Sequence, residues 1–215
     1  MTTTPAAAYQ AARVALRDAP AFTDPDLSAQ GTVRRRAEMI RAAKAQLIGA
    51  MPTLPEGVAT RAEVLAARTP TTADAVVVQG REREKVTELR NAGLTFAQIA
   101  GEASEVRVAA LIDAVEGIAA AEPEQASELE ELLFSRLVGL GAADAIEAHT
   151  AEQETVVGTA WRDALASTIE NRDPDLRTRT QLHSADRPRY DIALANDVAV
   201  DWAAVARIEA AHPAE

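Results

Sequence analysis

Apolar residues recur along most of this chain at intervals of three and four positions, and no segment strictly alternates apolar with polar residues. Val108, Leu111, Ile112, Val115 and Ile118 follow the i, i+3, i+4, i+7 pattern of one helix face. Leu129, Leu132, Leu133 and Leu137 repeat it, and Val157, Trp161, Leu165 and Ile169 stand four apart. A half-buried strand would need a period of two instead. The expected fold class is therefore all-α: an irregular multi-helix bundle of about seven to nine helices, with one long helix near residues 142–171.

Start and stop signals divide the chain. Thr4 before Pro5 is a side-chain cap followed by a residue that needs no N–H in the first turn, so a helix is expected over 5–18. The turn Thr23-Asp24-Pro25-Asp26 is expected to open a second helix that reaches Met51. Thr60-x-x-Glu63 and Thr95-x-x-Gln98 are capping boxes, and Leu94 can staple to Ile99. Between them, Thr71-x-x-Asp74 starts a helix to about Ala92; Val76-Val77-Val78 hints at a strand, but the charged run Arg81 to Lys85 favours helix. Gly93 and Pro123 are stops. Residues 172–190 are polar and arginine-rich, with only Leu176 and Leu182 strongly apolar, and read as a long loop before a last helix over 197–211. The domain division read from these breaks is a helical hairpin at 1–52, an acidic helical domain at 53–171, and an arginine-rich loop with a C-terminal helix at 172–215; one continuous domain is the alternative.

Charge is unevenly placed. The net charge is −11. Between Glu102 and Glu154 thirteen acidic residues face only Arg107 and Arg136, so this stretch alone carries 2 − 13 = −11 and the remainder is neutral. Such a segment repels phosphate and solvates itself, or docks a basic partner. The chain has no Cys, which excludes disulfides, thiolate metal sites and cysteine nucleophiles. The N-terminus shows no basic-then-apolar leader, and no run reaches about 18 apolar residues, so neither export nor membrane insertion is expected; the expected location is the cytoplasm, or a virion.

Few constellations could carry chemistry. Residues 86–115 have the outline of a helix-turn-helix, but the reading helix would hold Glu105, Asp113 and Glu116 against one Arg107. Base edges and phosphates ask for donors, so nucleic acid is not the expected partner. His149-x-x-Glu152 and Glu209-x-x-His212 each place two metal-capable groups on one face. A di-metal bundle needs two Glu-x-x-His pairs and two further Glu, and one pair here is reversed. His183-Ser184-x-Asp186 lies within one short stretch, whereas a triad is assembled from separate elements. No catalytic residue, cofactor or metal ligand is assigned.

The stretch Phe22-Thr-Asp-Pro-Asp-Leu-Ser-Ala-Gln-Gly-Thr-Val-Arg-Arg-Arg-Ala-Glu-Met-Ile combines an acidic turn, Leu-Ser-x-x-Gly, an arginine-rich turn and an amphipathic helix. It resembles segments of small helical proteins encoded among the virion genes of actinobacterial phages. The resemblance implies a head or tail accessory or assembly factor without catalytic residues.

The expected function is thus non-enzymatic: protein–protein contact, in virion structure or assembly. A DNA-associated helix-turn-helix protein and a helical-bundle enzyme or metal carrier are the alternatives. The expected contact surface is the narrow stripe Val33, Ile40, Leu47 and Met51, flanked by Arg34 and Arg35. Its partner would be another protein or a second copy of the chain. The competing arrangement packs that stripe inside the same chain.

Overall fold

The computed structural model describes residues 4–120, 122–194 and 197–212. Among them are eleven α-helices and no strand: α1 (Pro5–Asp18), α2 (Ala29–Gly49), α3 (Arg61–Ala66), α4 (Ala73–Asn91), α5 (Phe96–Gly101), α6 (Glu105–Ala119), α7 (Pro123–Gly139), α8 (Ala143–Ile169), α9 (Leu176–Ala185), α10 (Arg187–Ala193) and α11 (Trp202–Ala211). The all-α class holds, with more helices than the expected seven to nine. Val76-Val77-Val78 is helical.

The extra helices are α9 and α10, which occupy the stretch read as a loop. Asp175 caps α9 by accepting from the Thr178 N–H at 2.7 Å, and Pro188 sits in the first turn of α10. Within α9, Thr178 and Leu182, four apart, are the buried residues. A short helix with so narrow a buried face shows almost no apolar period. Asp24-Pro25-Asp26 differs in the other direction. It forms a turn in which the Asp26 N–H donates to Asp24 Oδ1, and Ser28 caps α2 instead. The last helix also starts later than expected, at Trp202, capped by Asp201.

Contacts divide the chain into two compact units, Met1–Leu54 with Gln153–Glu215, and Pro55–Glu152. The division read from composition placed a break near the first of these boundaries but kept the two chain ends apart. They belong together because their apolar faces share one core: Tyr9, Leu16, Ile40, Leu47, Trp161, Leu165, Leu182, Leu194 and Val205 are buried in one cluster. The second unit has its own core, with Val64, Ile99, Val108, Leu111, Leu133, Phe134 and Leu137 at its centre. Helix α8 contributes residues 143–152 to the second unit and 153–169 to the first.

Small residues let these helices approach. Ala8, Ala12, Ala19, Ala37 and Ala43 are buried in the first unit, where larger side chains would hold α1 and α2 apart. Gly158 in α8 does the same for the chain after α2: a Cβ there would lie 2.6 Å from Leu54 Cδ2. Among the described residues no helix is long and apolar enough to cross a membrane.

Candidate functional site

The expected contact stripe on α2 is internal. Ile40 and Leu47 have no solvent exposure, and Val33 and Met51 are half-buried, Met51 against the same core. Helix α2 packs on α1 and α11 through this face. A side chain already enclosed by its own chain cannot also form an intermolecular seam, so the competing arrangement is the observed one. Arg34 and Arg35 do face water, each paired to Glu38 one turn on, at 3.4 and 3.2 Å. Lys44, at the centre of the stripe, reaches Glu209 of α11 at 2.6 Å, so its charge ties two helices of the first unit together.

The most enclosed charges in that unit surround Arg13. Its Nε donates to Asp197 Oδ1 at 2.8 Å, one terminal nitrogen to Asp173 Oδ1 at 2.6 Å, and the other to the Val198 carbonyl at 2.7 Å. Tyr9 donates its hydroxyl to the other Asp197 oxygen at 3.0 Å. Burial, then the negative charge of Asp197, pushes the Tyr9 phenol well above its ordinary value. The guanidinium also lies 5.0 Å from the Trp202 ring centre. These bonds tie α1 to residues 173, 197 and 198 of the same unit, which is the arrangement of a clasp.

In the second unit, α3 performs a similar role. Arg61 binds Glu152 at 2.8 Å and Glu131 at 3.3 Å and lies 4.6 Å over the Phe134 ring. Arg68 forms a two-pronged pair with Asp144 at 2.7 and 2.8 Å. That hydrogen bonding holds the Asp144 carboxyl below the usual aspartate range.

The helix-turn-helix outline is realised as α5, a three-residue turn over 102–104, and α6. Its α6, however, lies between α4 and α7 and buries Val108, Ala110, Leu111 and Val115. Three of its charged residues are paired to neighbouring segments: Glu105 to Arg68, Arg107 to Glu82, and Asp113 to Gln79 and Arg83.

The remaining candidate residues also have neighbours within their own unit. Glu152 serves Arg61, and Glu209 serves Lys44 and Asn171. The His149 ring stands 6.4 Å from that of Phe134. Asp186 accepts from Trp161 Nε1 at 2.9 Å and from Arg189, while His183 meets the Tyr190 ring edge-on. Among the described residues no group of three or more His, Asp or Glu is placed to hold a metal ion.

One surface passed over in the sequence stands out instead. Helix α4 packs on α6, and its buried residues are Gln79 and Val86. The middle of that seam is polar: Gln79 donates to the Ala109 carbonyl and to Asp113, and Glu82 accepts from Arg107. Val76, Val77 and Val78 lie off it and are 53%, 56% and 45% exposed. In the sequence the only sign of it is three consecutive valines, which argue for strand as much as for an exposed helix face. Compared with known protein families, characterised proteins and solved structures, the chain matches none of them.

Proposed function

We propose that this chain is a non-enzymatic helical protein that works through protein–protein contacts, in the structure or assembly of a phage virion. The observation that carries the reading is the exposure of Val76, Val77 and Val78 on α4. β-Branched side chains left in water on a regular helix are apolar area that gains by being covered, and Val77 and Val78 flank one side of α4. The ion pairs of Arg13, Arg61, Arg68 and Lys44 hold each unit together internally, which suits a protein that presents a stable surface. The virion setting rests on the resemblance of residues 22–40 alone.

The test is chemical cross-linking of the purified chain with the proteins encoded beside it, followed by mass spectrometry. Cross-links from α4 to a capsid, portal or tail protein are expected, and mixed-sequence DNA at low salt should leave the chain unshifted in a gel. Salt-sensitive DNA binding would overturn the reading in favour of a nucleic-acid role. Flanking genes for a metabolic route would remove the virion setting.

A further inference from the structure

We infer that the exposed face of α4 is a self-pairing surface whose occupant is the same face of a second copy, running antiparallel. This rests on the reading of the chain as a protein that acts through protein contacts, and it names the partner. At 100° per residue, Asp74 and Arg81, seven apart, fall on one line along α4. Val77 and Val78 straddle that line, between the acid and the base. All four residues are exposed.

The order acid, apolar pair, base is what self-complementarity requires. In an antiparallel pair with its two-fold axis between positions 77 and 78, residues whose numbers sum to 155 face each other. Val77 then meets Val78 of the second copy, and Asp74 meets Arg81, each contact occurring twice. A parallel pair would set Asp74 against Asp74 and Arg81 against Arg81, so the charges also select the direction. No described residue of the chain competes for this face, because α4 packs on α6 from the opposite side, through Gln79 and Val86.

The contact is small. Positions 74–81 span about 10 Å of helix, so the area per copy falls below the ~800 Å² of a standard interface. The pairing therefore fills with concentration rather than being permanent, which suits a subunit brought to high local concentration by an assembly.

The experiment is sedimentation velocity of the full chain from micromolar to millimolar concentration, with circular dichroism as the control for folding. The wild type should pass from monomer to dimer. Asp74→Arg and Arg81→Asp should each weaken the dimer about tenfold or more, since each sets like charges together twice. The double exchange of the two should restore it. Arginine at position 74 costs the start of α4 equally in the single and double variants, so rescue cannot come from helix stability. Wild type that stays monomeric overturns the self-pairing while leaving the broader reading to its cross-linking test. A dimer indifferent to both single exchanges, or one not rescued by the double, removes α4 as the seam.

Discussion

Arg13 and Asp197 lie 184 residues apart in sequence and 2.8 Å apart in space, Nε to Oδ1, with side chains only 3% and 9% exposed. They join the two ends of the chain inside one unit. Such a pair does not by itself make a fold more stable than an apolar contact of the same size. Its asymmetry is what matters: one partner left alone is a buried, uncompensated charge.

Arg13→Ala is therefore expected to destabilise the first unit by about 3 kcal/mol, at the lower end of the range for a broken buried pair. Arg179, 3.6 Å from Asp197, still offsets part of the lost charge. Asp173→Ala removes the partner that is 52% exposed and should cost under about 1 kcal/mol. Urea unfolding of both variants checks the order. Equal losses would mean that Asp197 is solvated without Arg13.

Thr95→Ala should cost about 0.5–2 kcal/mol, read from the melting midpoint of the second unit. The Thr95 hydroxyl accepts from the Gln98 N–H at 3.2 Å, and the Gln98 side chain accepts from the Thr95 N–H at 2.8 Å. Removing the hydroxyl frees one end of this box and loosens the entry to α5, which buries Ile99 and Ala100. An unchanged midpoint would show that packing alone fixes the start of α5.

Acid should erase the contribution of Asp144. Its pairing with Arg68 depresses the folded-state pKa, so the stabilisation is complete above the unfolded value of about 3.9 and is lost as pH falls from there through the folded value. Because Asp144 is 43% exposed, solvent limits the effect to under about 1 kcal/mol. Asp144→Asn should melt below wild type at neutral pH, and the two curves should converge as the pH drops below about 4. A gap that persists in acid would assign the loss to packing rather than charge.

What the sequence made legible was local. Thr4-Pro5, the boxes at Thr60 and Thr95, and the stop at Gly93 act within one turn of themselves, and the helices they bound lie where they were expected. The four-apart stripe on α8 is also real, with Trp161 and Leu165 fully enclosed. Closure was not legible, because nothing in Asp197 marks it as the partner of Arg13, and nothing in Gly158 announces Leu54. The α9–α10 segment hid for a different reason: its buried set is small, and its arginines mask the cap at Asp175 and the first-turn Pro188. The contact stripe on α2 failed as an interface because stripe width does not say which chain covers it. The valines of α4 lack a period altogether, and only their observed exposure separates them from core.

The central claim is that contact surface and core have changed places relative to the sequence reading: α2 is interior and α4 is the face left for a partner. Light scattering after gel filtration, run beside circular dichroism on three proteins at high concentration, tests it most directly. Ile40→Asp with Leu47→Asp should unfold the first unit, since two charges cannot be enclosed without partners. Val77→Asp with Val78→Asp should stay helical and become strictly monomeric, while the wild type associates. A folded α2 variant that has lost association, beside an α4 variant that keeps it, would contradict the claim and return the contact surface to Ile40 and Leu47.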